Sequence, residues 1–175
     1  MSAPANIPFT VKSPRNTNGQ AVVAVGNSRY VPNPYTNSSF WFLVVDRTTL
    51  QVVQNITQQS NTDVPPVLAQ YDDSRYLLIV ATVSLGTLRV PQGPLYAYLV
   101  ANGGGVALKR IEQISSQLNC GEIATVGYCL VDILGETSSL GFELSAYDGM
   151  GPVMTLQLMP IDISGTTYWT PITLS

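Results

Sequence analysis

The sequence contains no histidine, so any acid–base chemistry must come from carboxylates, lysine or tyrosine. That absence removes the usual Ser-His-Asp and Cys-His mechanisms and the commonest transition-metal ligand. Lys12 and Lys109 are the only lysines. The carboxylates with positions suggestive of a site are Asp72 and Asp73 in YDDSR, then Asp132, Glu136, Glu143 and Asp148 around two strand ends. A glycosidase pair needs two carboxylates roughly 5–10 Å apart across a cleft, and nothing in the spacing fixes that separation. Turn and capping roles explain the same residues more simply.

Two further chemistries can be weighed. NGGGVALKR (residues 102–110) sets glycines ahead of a helix, whose first amides attract anions. No Gly-Lys-Ser/Thr follows at P-loop spacing, so a flexible helix–helix connection is the simpler role. Cys120 and Cys129 flank the step from a helix end to a strand. A disulfide there is sterically conceivable and would add roughly 2–3 kcal/mol; two buried thiols are the alternative, favoured because Cys129 alternates with Val131 and Ile133 in core-like text. Two cysteines without histidine are too few for a closed zinc site, and no Asp-x-Asp-x-Asp loop supports calcium. No metal or cofactor is expected.

Recognition chemistry is better represented. Tyr30, Asn33, Tyr35 and Asn37 fall in or beside a proline-rich loop, and Tyr147, Asp148, Tyr168 and Trp169 lie near turns. Aromatic faces beside amides and hydroxyls suit a sugar, which needs stacking plus directional hydrogen bonds. The competing role is to cover the ends of sheets.

The elements that must position these groups are legible as patterns. SFWFLVVD (39–46), RYLLIVATV (75–83) and VGYCLVDILG (126–135) read as strands, the second apolar on both faces as in a layered interior. LQVVQNIT (50–57) is a hairpin mate for the first. Asp63 is placed to cap a short helix started by Pro65 and Pro66. Residues 92–121 carry the convincing helical text: Pro94 starts one helix that stops at Asn102 and Gly103, and a second covers residues 106–119. Ala107, Ile111, Ile114 and Leu118 form its apolar face, expected to lie on the strands 76–83 and 126–134. Residues 1–18 read as an arm with one short strand, and 139–175 as C-terminal strands separated by DGMGP and DISG. The expectation is one α+β domain spanning residues 1–175, with two mainly antiparallel β-sheets, two or three helices packed on them, and a β-sandwich-like core.

Composition narrows the partners. Charged residues are 11% of the chain, against roughly 25% in ordinary soluble domains, and the net charge is −3. The basic residues are scattered singly, which argues against nucleic acid, whose binding draws on clustered Lys/Arg. No apolar run approaches the roughly eighteen residues of a membrane span. MSAPANIPF has neither a basic nor an apolar signal-peptide region. An uncharged polar surface points to an extracellular or virion- or toxin-associated setting.

The order of these phrases resembles the interleukin-like epithelial–mesenchymal transition inducer domain. That group includes the pancreatic-derived factor and the stem of protein O-mannose N-acetylglucosaminyltransferase. The matching text is FWFLVVDRTTLQVV, DVPPVLAQY, YLLIVATV, ALKRIEQISSQLNCG and ATVGYCLVDILG, within residues 11–147. The chain departs from the pattern in its signature positions. Val83 and Ser84 stand where the family has an acidic residue, and Cys129, Leu130 and Val131 where it has an Arg-Asp-Trp set. The family's sugar-contacting charged residues therefore do not carry over. The resemblance implies the fold. Together with the missing catalytic equipment and the uncharged polar surface, it leads to the expectation of a non-enzymatic recognition role, carbohydrate- or receptor-binding, with a glycan or protein receptor as partner. A structural or assembly module, including a homo-oligomer, is the second reading, and a carboxylate-dependent glycoside hydrolase the third.

Overall fold

A computed structural model of the protein describes residues 5–118, 125–136 and 141–173. The strands are β1 (Ile7–Lys12), β2 (Val22–Val25), β3 (Ser28–Tyr30), β4 (Ser39–Asp46), β5 (Val52–Gln58), β6 (Tyr76–Val83), β7 (Leu85–Gly86), β8 (Thr125–Ile133), β9 (Phe142–Ala146), β10 (Val153–Ile163) and β11 (Thr166–Thr173). The helices are α1 (Gly93–Ala101) and α2 (Val106–Leu118), with 3₁₀ turns at Pro66–Tyr71 and Thr87–Arg89. One sheet has the order β11-β10-β1-β2-β3 and the other β5-β4-β6-β8, with β7 and β9 also paired to β8. Every pairing is antiparallel. The expected α+β architecture of two antiparallel sheets with helices on one face is what the chain forms.

The layers follow from the side-chain alternation of a strand. Along β4, Trp41, Leu43 and Val45 face the other sheet, while Phe40, Phe42 and Val44 face the helices. All of β4 is buried, and so are β6 and β8 apart from their first residues. That is why these three strands read as unbroken apolar runs: they form the middle of three layers and have no solvent face.

Several elements depart from the sequence expectation. The short strand expected in the arm forms as β1, but it is no peripheral arm: it pairs on both sides, between β10 and β2, with Phe9 and Val11 fully buried. The turn at Pro66–Tyr71 is 3₁₀ and has no side-chain cap. Asp63 instead accepts a hydrogen bond from Ser60 Oγ at 2.7 Å. The C-terminal strands divide between the sheets: β9 joins β8, and β10 and β11 join the outer sheet.

α2 packs as expected, with a rotated face. Leu108 and Ile111 are buried and Ile114 is half-buried, whereas the Leu118 side chain lies outside those described. Its N-terminus is not an open anion site. Glu143 of β9 reaches across, accepting from the Ala107 amide at 2.7 Å, the Leu108 amide at 3.1 Å and Tyr128 Oη at 3.2 Å. A carboxylate from the sheet thus satisfies the first-turn donors and the positive end of the helix. Two of the preceding glycines, Gly103 and Gly104, are closely packed against neighbouring backbone. A Cβ on Gly103, which has φ +86°, would come within 2.5 Å of the Gly141 backbone. Glu143→Ala is expected to cost about 1–2 kcal/mol. Amide exchange should show faster opening at Ala107 and Leu108 before other segments; unchanged protection there would refute the capping role.

Ser13 closes one end of the fold. Its Oγ donates to the Thr82 carbonyl at 2.7 Å and accepts from the amides of Thr82 at 3.1 Å and Tyr128 at 3.2 Å. A hydroxyl from the outer sheet thereby fills the gap where the β6–β8 ladder ends at Ala81 and Cys129.

Candidate functional site

The eight aromatic and polar residues proposed from the sequence do not form one site. β4 and β6 run from the Ser39–Val83 pair at one end to the Asp46–Tyr76 pair at the other, and the candidates divide between these ends. At the Ser39 end, Asn33, Tyr35 and Asn37 lie exposed in the β3–β4 loop. Tyr35 donates to the Gly19 carbonyl at 2.6 Å, and desolvation raises the pKa of its hydroxyl. Tyr147 and Asp148 are exposed in the β9–β10 turn. The segment 13–20 joins the two loops, because the Arg15 amide donates to Met150 O at 3.2 Å. Beside Tyr35 an open groove of about 370 Å³ is lined by Thr17, Gly19, Gln20, Val31 and Pro32.

The other three candidates serve the framework. Tyr30 ends β3 and packs against the core between the sheets, and Trp169 packs there too. Tyr168 and Trp169 lie inside β11, not in a turn, and the Trp169 amide donates to Arg47 O at 2.8 Å. Tyr168 offers its ring to the Arg47 guanidinium, 5.4 Å from the centroid. Cys129 is a free thiol buried between the sheets, where desolvation pushes its pKa up to about 12. Cys120 lies outside the described residues, so that half of the proposed bridge does too.

The Asp46 end carries the denser polar chemistry. Arg47 is 4% exposed. Its Nε donates to Trp169 O at 3.0 Å, Nη2 to Thr170 Oγ1 at 2.8 Å, and Nη1 to the Ser74 carbonyl. Nη1 also lies 4.0 Å from Glu136 Oε1. One side chain thus ties the β4–β5 turn to β11 and to the start of β6. Desolvation lowers its pKa, opposed by the charge of Glu136. Beside it, Asp46 pairs with Arg75 at 2.7 Å and accepts from the Thr48 amide at 2.8 Å and from Thr48 Oγ1 at 2.6 Å.

For Asp46, burial alone would raise the carboxyl pKa, but the hydrogen bonds of Thr48 and the bond and charge of Arg75 outweigh it and hold the pKa below the ordinary value. A depressed carboxyl contributes stability that is present above the unfolded pKa and is lost as pH falls through the folded one. The urea midpoint should therefore drop on acidification below about pH 4, and Asp46→Asn should flatten that part of the profile. A variant with the wild-type acid limb would contradict the assignment.

Next to this cluster lies a cleft of about 370 Å³. Three segments distant in the chain build it: Leu68, Ala69 and Asp72 around the 3₁₀ turn, Tyr98, Ala101 and Asn102 at the end of α1, and Leu134, Gly135 and Glu136 after β8. Gly135, at φ +71°, turns the chain out of β8 against Asp73. Its lining mixes the apolar Leu68, Ala69, Ala101 and Leu134 with the polar Asp72, Tyr98, Asn102 and Glu136. Desolvation and the nearby Asp72 charge raise the Tyr98 pKa, and its buried oxygen has no hydrogen-bond partner among the described residues. Of the carboxylates weighed from the sequence, Asp72 and Glu136 meet here, Glu143 is committed to α2, and Asp148 is at the opposite end. Glu136 also borders a second cavity of about 240 Å³ with Phe142, Thr170 and Pro171.

Tyr98 and Asn102 carried no sequence signal beyond their place at a helix and its end, and Arg47 none beyond its place between two strand-like runs. Among the described residues, no group of three or more His, Cys, Asp or Glu side chains is arranged to hold a metal ion. No described helix is long and apolar enough to cross a membrane. No protein-family model matches the chain, and no curated protein matches it significantly.

Proposed function

We propose that the chain is a non-enzymatic recognition module that binds a carbohydrate, and a divergent member of the interleukin-like epithelial–mesenchymal transition inducer group. The observation that carries the binding reading is the cleft at α1. Its volume of about 370 Å³ falls at the small end of ligand pockets. Leu68, Ala69, Ala101 and Leu134 in its lining suit the C–H face of a sugar ring, and Asp72, Glu136 and Asn102 suit its hydroxyls. The order of strands and helices supports the family assignment. A charge-poor surface fits a secreted, virion-associated or toxin-like setting.

A glycan array tests the reading. Wild type should bind a limited set of glycans, and Ala101→Trp should abolish binding by filling the cleft. Ala101 is exposed, so its melting temperature should stay within about 2–3 °C. Tyr35→Ala should bind as wild type. A blank array, or binding lost in Tyr35→Ala and kept in Ala101→Trp, would overturn the assignment of the cleft. Assembly with another chain is the second reading, favoured by Val100 and Val106, which are 46% and 85% exposed on the helical layer. Native mass spectrometry separates it from the first.

A further inference from the structure

β5 is an unprotected sheet edge. It ends the inner sheet, pairs with β4 alone among the described strands, and has no other described element packed extensively against it. The outer side of its backbone therefore presents a row of amides and carbonyls that another strand would complete. Exposed edges are ordinarily blunted by charge, proline or shortness, and the other described edges of the two sheets are. β3 has three residues and carries Arg29, and β9 has five and carries Glu143. β11 contains Pro171, and its Trp169 amide already donates to Arg47 O. β5 has seven residues without proline, and no charged residue occurs anywhere in the segment 48–62. Its register shift falls between the Val45–Val52 and Val44–Gln54 pairs, so residues 54–58 run regular.

We propose that two copies of this chain associate through β5, antiparallel across a two-fold axis at Ile56, so that their inner sheets join into one. The strand is suited to its own copy. In that register Gln54 lies opposite Gln58 and Asn55 opposite Thr57, so no pair brings like charges together. That matters because each chain carries a net charge of −3. A charged partner, in contrast, finds nothing on this edge to select it. The edge is a strip about 24 Å long and one strand thick, well short of the roughly 800 Å² per partner that a stable interface buries. The association is therefore weak and reversible, with a dissociation constant on the order of 100 µM. This surface is independent of the α1 cleft.

Sedimentation equilibrium of the full chain from about 10 to about 500 µM, a range that brackets this affinity, should show a monomer–dimer equilibrium. Amide exchange of the wild type should slow at the higher concentration, most of all in residues 54–58. The double variant Val53→Asp/Asn55→Asp sets carboxylates on the edge of both copies. Val53 is 38% exposed and Asn55 is exposed, and aspartate at 55 keeps an acceptor for Trp41 Nε1, which donates to Asn55 Oδ1 at 2.7 Å. It should melt within a few degrees of wild type and dimerise at least about tenfold more weakly. Added salt should restore part of that loss, because the repulsion is screened. Val106→Asp, on the helical layer, should self-associate as wild type does. A monomer throughout the range, or self-association lost in Val106→Asp and kept in the double variant, would overturn the proposal. So would concentration-dependent protection confined to segments other than β5.

Discussion

Replacing Arg47 with alanine is expected to lower the stability of the protein by about 3 kcal/mol. The side chain is nearly fully buried, donates to groups on two separate segments, and lies over the Tyr168 ring. Truncation removes those bonds, leaves the Trp169 and Ser74 carbonyls without this donor, and opens space beside the two cavities that Glu136 borders. Lysine should not rescue it, because one ammonium cannot reproduce a planar fork that reaches three acceptors. Urea denaturation of wild type, Arg47→Ala and Arg47→Lys reads the effect. A loss under about 1 kcal/mol for the alanine variant would show that the guanidinium contributes no more than a surface charge.

Ile111→Asp should be more damaging still, costing about 4 kcal/mol or preventing folding. Ile111 is 1% exposed and packs with Leu108, Leu99 and Tyr128 between α2 and the central sheet. A carboxylate placed there would lose its water without gaining a cation. Ile111→Val, which keeps the chemistry and removes one methylene, should cost about 1 kcal/mol. If the aspartate variant melts within a few degrees of wild type, α2 is not docked through this face.

The patterns that were legible in the sequence are those generated by local periodicity. FWFLVV and LLIVATV are apolar at consecutive positions, and only a strand covered on both sides accommodates that; β4 and β6 are such strands. α2 was legible from its three- and four-residue spacing, yet its buried face turns toward Leu108, because Glu143 and β9 fix its approach. The position of β1 was not legible. Its partner β10 lies at the far end of the chain, pairing Phe9 with Leu156, and no local pattern encodes so distant a pairing. The same limit applies to the site. Asp72, Tyr98 and Glu136 occupy three separate segments that only the fold brings together. Aromatic loops, in contrast, are conspicuous in a sequence, and two of the rings singled out for binding, Tyr30 and Trp169, pack against the inter-sheet core.

The most direct test of the account is amide chemical-shift mapping of the isotope-labelled chain with a glycan selected from the array. The perturbed amides should cluster in residues 68–72, 98–102 and 134–136, the three segments that line the cleft, with the β3–β4 loop around Tyr35 and the β9–β10 turn around Tyr147 unmoved. Shifts confined to those two loops instead would contradict the cleft as the site of recognition.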